Sequence, residues 1–181
     1  MKKDKIIEMQ KKLGVTPDGF WGPASIAACQ KHLRALMPDV NPWPKADPAS
    51  MNAFYGQAGD ESQLVELLLP EGFTYDGKPM RRTRCHKKVR DSLSRILPKV
   101  VHLAKDYGGI FNFRKMRGGS SLSIHSWGSA IDLDTGSNGN KTSWPAVATM
   151  PLEVMEEFAK EGWLPAGAFW GRDAMHFQAT K

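Results

Sequence analysis

Apolar residues at helical spacing open the chain. Ile6, Ile7, Met9 and Leu13, with Gln10 among them, predict a helix over residues 4–13 that Gly14 stops. A turn-rich stretch follows, Val15-Thr16-Pro17-Asp18-Gly19-Phe20-Trp21-Gly22-Pro23, and Pro23 suits the first turn of a second helix over about 24–36. Ile26, Ala27, Gln30 and Leu33 are expected on or near its inner face. The core of so small a unit has to come from Leu13, Val15, Phe20, Trp21, Ile26 and Leu33. Pro38, Pro42, Pro44 and Pro48 punctuate a segment that reads as a linker or irregular lead-in. Residues 60–69 carry Leu64, Val65, Leu67, Leu68 and Leu69 and fit helix or strand. Between 84 and 106, Val89, Leu93, Ile96, Leu97, Val100, Val101 and Ala104 predict one long amphipathic helix, kinked or divided at Pro98 and ended by Gly108-Gly109. Short strands are predicted at 110–113, 130–134 and 175–178, and a last helix at about 151–161 carries Leu152, Met155, Phe158 and Ala159. Helices with short, separated strands define an α+β class, with a short antiparallel sheet and flanking helices.

Composition sets the outer bounds. The chain has 181 residues, 41% hydrophobic and 24% charged, enough for one ordinary domain or a small module plus a medium one. The pattern divides it into 1–38, a lead-in at 39–59, and a larger domain at 60–181. No apolar run approaches the ~18 residues of a membrane helix. After Met1-Lys2-Lys3-Asp4-Lys5 no apolar signal core follows, because Glu8, Gln10, Lys11 and Lys12 interrupt it. Cys29 and Cys85 form no CxxC pair and are expected to be reduced thiols. The net charge of +6 is uneven: residues 61–120 hold 13 Lys/Arg against 6 Asp/Glu, whereas 121–181 hold 4 against 7. The excess lies between Lys78 and Lys99, either a face for a polyanion or a solvated helix surface. No recognition motif accompanies it, so a nucleic-acid partner is not expected.

The chemistry-bearing stretch is Ser123-Ile124-His125-Ser126-Trp127-Gly128-Ser129-Ala130-Ile131-Asp132-Leu133-Asp134. On a strand, Ile131 and Leu133 face the core while Asp132 and Asp134 face away, and a carboxylate on a packed face needs a partner for its charge. The small Gly128-Ser129-Ala130 lets the chain turn tightly and return His125 over the strand. A second stretch, Trp170-Gly171-Arg172-Asp173-Ala174-Met175-His176-Phe177-Gln178, turns His176 away from its apolar neighbours Met175 and Phe177. Asp173 has the wrong parity for that face. It belongs on the bend before the strand, where it suits a general base acting on the attacking water. Two histidines and one carboxylate with a fourth position open are the ligand set of catalytic zinc. Asp134 is either a fourth contact or a hydrogen-bonding cap. Trp127, Trp144, Trp163 and Trp170 either line a groove or pack in the core, and His32, His86 and His102 read as structural.

The pattern Ser-x-His-x-x-Gly-x-Ala-x-Asp, followed by acid-x-x-His, resembles the D-alanyl-D-alanine carboxypeptidase-like zinc peptidases, which include the L-alanyl-D-glutamate endopeptidases of bacteriophages. Ser123, His125, Gly128, Ala130, Asp132 and His176 fill its fixed positions, and Asp173 stands where many members have Glu. The resemblance implies one Zn²⁺ held by His125, Asp132 and His176, with Asp173 as base. It also implies an arginine from the strand before the first motif that steadies the developing oxyanion. Arg114 in Phe111-Asn112-Phe113-Arg114 is the choice, with Arg117 behind it. Ser123 and Trp170 are further candidates for the substrate side. Residues 4–37 resemble a peptidoglycan-binding module through Leu13-Gly14-Val15 and Asp18-Gly19-Phe20-Trp21-Gly22-Pro23-Ala24-Ser25, with Asp18, Gly19 and Trp21 as its marker residues. Wall anchoring raises local substrate concentration without a new active-site contact.

These resemblances imply a monomeric phage endolysin, held in the host cytoplasm until it reaches the wall, that lyses it by cutting L-alanyl-D-glutamate. The alternatives are a D-alanyl-D-alanine carboxypeptidase or cross-bridge endopeptidase, and a non-catalytic wall-binding zinc protein.

Overall fold

The computed structural model describes residues 2–116 and 118–181. Two helices come first, α1 (Lys3–Lys12) and α2 (Pro23–Leu36). Gly14, with φ of 70°, follows the first, and Pro23 opens the second. The inner face of α2 is Ser25, Cys29 and Leu33, an i, i+4, i+8 stripe, whereas Ile26 is 40% exposed. The expected inner face is therefore rotated, because Ala27 and Gln30 do not share that stripe. Helix α3 (Pro48–Tyr55) lies within the stretch expected as lead-in; it is capped by Asp47, which accepts from Ser50 N–H, and it buries Met51 and Tyr55.

Strand β1 (Leu64–Leu68) pairs antiparallel with β4 (Arg82–His86), and between them β2 (Thr74–Tyr75) and β3 (Lys78–Pro79) form a small hairpin. The long helix expected over 84–106 is thus corrected. Residues 82–86 are strand, and the helix α4 spans Arg90–Val100. Thr83 and Cys85 turn inward and Arg82 and Arg84 outward, a period of two that the helical run after Val89 overlaps in sequence. Pro98 sits in the last turn of α4 without ending it.

The remaining strands form one four-stranded antiparallel sheet in the order β5 (Tyr107–Gly109), β6 (Ala130–Leu133), β8 (His176–Gln178), β7 (Leu164–Pro165). The strand expected at 110–113 lies earlier, at 107–109. Helices α5 (Thr135–Asn138), α6 (Leu152–Lys160) and α7 (Ala166–Trp170) complete the fold. Phe158 of α6 stacks on Phe177 of β8 with centroids 4.0 Å apart, and α4 and α2 pack against α6. One continuous core runs from Ile6 and Met9 to Phe177 and Ala179.

Candidate metal centre

Asp132 lies opposite His176 in the β6–β8 ladder, and directly opposed residues share a face. Their neighbours Ile131 and Phe177 form the next pair and are fully buried on the other face. His125 arrives from a one-turn 3₁₀ helix, Ile124–Trp127, which ends at Gly128 in the left-handed region with φ of 66°. A Cβ at Gly128 would stand 2.7 Å from Leu64 Cδ2 and 3.0 Å from His86 N, so only glycine allows this return.

His125 Nε2 lies 3.2 Å from Asp132 Oδ1 and 3.2 Å from His176 Nδ1, and His176 Nδ1 lies 3.0 Å from Asp132 Oδ1. Ligands on a tetrahedral ion with bonds near 2.0–2.1 Å stand about 3.3 Å apart. The outer nitrogens are already committed. His125 Nδ1–H donates to Ile110 O at 2.8 Å, and His176 Nε2–H donates to Gln178 Oε1 at 3.0 Å. Gln178 Nε2 in turn donates to Thr180 Oγ1, which fixes the amide orientation. Two imidazole lone pairs and a carboxylate oxygen therefore face one another with no hydrogen of their own between them, an arrangement that calls for a cation. These residues fit zinc. When no metal is bound, protons on the imidazoles take the cation's place: burial would push the Asp132 carboxyl up, but hydrogen bonds from His125 and His176 then outweigh it and hold it well below the usual carboxylate range. Burial likewise opposes charge on His176, and Asp132 more than offsets that, so its pKa rises.

Asp173 occupies the bend before β8 with φ of 57°, and its Oδ1 is buried without a hydrogen-bond partner. Burial, with Asp132 adding, raises its pKa against the opposing pull of His176, His125 and Arg172. It lines a cleft of about 210 Å³ together with His125, Asp132, His176, Arg114, Ser123 and Trp170. Trp170 is 46% exposed and stacks on His176 with centroids 5.7 Å apart. Trp127, Trp144 and Trp163, by contrast, are core residues. Arg114 lies in a loop rather than a strand, and it lines both this cleft and a second one of about 410 Å³. Ser123 is buried at the start of the 3₁₀ turn, its N–H donating to Arg114 O at 3.0 Å. Arg117 lies outside the described residues. Asp134 accepts from Asp106 N–H at 2.8 Å and stands apart from the ligand group.

Sequence reasoning missed Gln178, Arg172, and the second cleft's Tyr75, Thr83, Arg84 and Tyr107. Gln178 was within reach, being two residues from His176 on the same strand face. In the basic segment, Arg81, Arg82, Arg84, Arg90, Arg95 and Lys99 each pair with a carboxylate, which favours the solvated surface over a face for a polyanion. Cys29 and Cys85 are free and buried, and burial pushes both thiols up to about 12.

At the N-terminus, Asp18 and Gly19 form a turn locked by buried Gln10, which donates to Asp18 Oδ1 and Phe20 O and accepts from Gly19 N–H. Trp21 is half-buried against Trp144, whereas Phe20 is 72% exposed. No helix among the described residues is long and apolar enough to cross a membrane.

Residues 117–179, roughly a third of the chain, match a family model described as D-alanyl-D-alanine carboxypeptidase. That stretch contains His125, Asp132, Asp173 and His176. The likeness supports a metallopeptidase acting on peptidoglycan. No curated protein and no solved structure matched the chain.

Proposed function

We propose that this chain is a zinc peptidase that hydrolyses the stem peptide of peptidoglycan at the L-alanyl-D-glutamate bond, in the setting of a phage endolysin. The observation that carries the reading is the convergence of His125 Nε2, Asp132 Oδ1 and His176 Nδ1, all within 4.8 Å of one another, on a cleft that also holds Asp173. A zinc ion held there supplies Lewis acidity toward a peptide carbonyl and toward water. Asp173 takes the proton of the attacking water and passes it to the departing amine nitrogen, so the peptide bond breaks with the proton balanced. That Asp173 lines the same cleft as the three candidate ligands supports this role. Arg114 steadies the oxygen on which negative charge develops. Trp170 and Ser123 flank the peptide, and Arg117 is a further candidate for the substrate side. The N-terminal helices, with Asp18, Gly19 and Trp21, are the proposed wall-binding module, and the enzyme would wait in the host cytoplasm before release to the wall.

The description of the matching family favours a second reading, removal of a terminal D-alanine. Digestion of purified muropeptides followed by mass measurement separates the two. Fragments split after L-alanine are expected. Release of free D-alanine alone would replace the endopeptidase reading with the carboxypeptidase one, and zinc-loaded protein that cuts neither bond would overturn both.

A further inference from the structure

We infer that the two N-terminal helices hold the loop carrying Asp173 in place, and that Trp21 is a positioning residue for hydrolysis. The inference rests on the peptidase reading above. Trp21 meets Trp144 edge-on, with centroids 5.3 Å apart and planes at 80°. The backbone N–H of Trp144 donates to Gly171 O at 2.9 Å, and Ser143 forms a backbone bridge with Arg172. These contacts grip the two residues before Asp173. Helix α2 reaches the same segment independently. Gln30 Nε2 donates to Ala168 O at 3.2 Å, and the Arg34 guanidinium lies 5.0 Å from the Phe169 ring centroid. Both land on α7, whose last residue, Trp170, stacks on His176. Glu156 of α6 anchors the helices from below, pairing with Lys12 and His32 at 2.7 Å each.

The segment needs such support. Helix α7 has five residues, too few to hold itself in water. Gly171 follows in the left-handed region, where glycine is free to move. Asp173 takes the left-handed conformation itself, which aspartate adopts less readily than glycine. The turn of the N-terminal unit thus divides its rings: Phe20 faces solvent, and Trp21 faces the catalytic part.

The full chain tests this on a soluble disaccharide–tetrapeptide, which needs no wall anchoring. Trp21→Ala is expected to lower kcat roughly tenfold or more, as small misplacements of reacting groups do. KM should move by less than about twofold under the same geometric argument, and zinc content should stay at one per chain. In metal-free protein, amides of residues 168–175 should exchange with deuterium faster in Trp21→Ala, and Trp21→Phe should restore both readouts. A folded Trp21→Ala variant with unchanged kcat and unchanged exchange overturns the inference. If that variant does not fold, the double variant Gln30→Ala with Arg34→Ala removes the second set of contacts, carries the same expectation, and overturns the inference if both readouts stay put. Wild-type protein that cleaves nothing sinks the peptidase reading and the positioning role with it. An active wild type beside an unaffected Trp21→Ala variant sinks the positioning role alone.

Discussion

Each central histidine has its outer nitrogen committed to a fixed acceptor, and this decides which lone pair faces inward. Partners of this kind usually contribute 10–100-fold in metal affinity. Gln178→Leu removes the acceptor for His176 Nε2–H and should weaken zinc binding by about 10-fold or more. Competition against a chelator measures it; an unchanged affinity would mean that Gln178 does not hold the ring. Asp173→Asn makes a sharper separation. Asparagine tolerates the left-handed backbone and cannot take up the proton, so hydrolysis should fall about 10²–10⁴-fold with zinc retained. The melting temperature should not drop, because a buried carboxylate oxygen without a partner costs stability. Of the three candidate metal donors, Asp132 and His176 were legible because the period of two fixes which side chains share a face, whereas His125, on a 3₁₀ turn, was legible through the small residues that return it over the strand and through the motif. Ile110 O was not legible as a partner for His125, since a backbone carbonyl carries no residue signature.

Strand β5 shows how an element can be misplaced by reading its glycines only as breakers. Gly108 and Gly109 suggested a helix stop, yet they belong to the edge of the sheet beside Asp132. A Cβ at Gly108 would lie 2.3 Å from Thr135 Cγ2 and 3.0 Å from both Asp132 Cβ and Asp132 O. Gly108→Ala should therefore push β5 off β6 at an overpacking cost of about 1–3 kcal/mol. Denaturant unfolding reads the loss, and zinc affinity should fall in parallel because Asp132 shifts. A wild-type midpoint and affinity would show that the strands give way freely there. Helix α4 and the end of α6 are joined by a two-pronged pair: Arg95 donates to Glu161 at 2.8 and 2.7 Å. Those bonds, against some burial, hold the Glu161 carboxyl below its ordinary value of 4.5. A carboxyl depressed on folding adds stability above that value and loses it as pH falls through the folded pKa. With Arg95 more than half exposed, Arg95→Ala should cost only about 0.5–1 kcal/mol at pH 7. The difference from wild type should shrink steadily below pH 4.5 in urea titrations; a cost that persists at pH 2 would point to lost packing instead.

At the scale of the molecule, the question is what the first 38 residues bury. Proline punctuation between 38 and 48 was plain in the sequence, but the burial of Trp43, Met51 and Tyr55 was not, because the Trp43 and Tyr55 side chains each hydrogen-bond to a carbonyl more than a hundred residues away. Trp43 donates to Glu161 O and Tyr55 donates to Ala179 O, at 2.8 Å each. Ile6, Met9, Cys29 and Leu33 join the same core, and Glu156 finds its partners Lys12 and His32 on α1 and α2. Deleting residues 1–38 would expose the core side chains that Ile6, Met9, Cys29 and Leu33 cover, at roughly 1.5–3 kcal/mol for each large one fully uncovered. It would also leave Glu156, 9% exposed in the intact chain, without either partner. The sum is comparable with the ~5–15 kcal/mol that holds a typical domain together. The full chain should thus melt in one transition, and the truncated chain should melt far lower or fail to unfold cooperatively. A truncated chain with the full-length melting temperature would mean that residues 39–181 fold unaided and that the N-terminal helices add nothing to their stability.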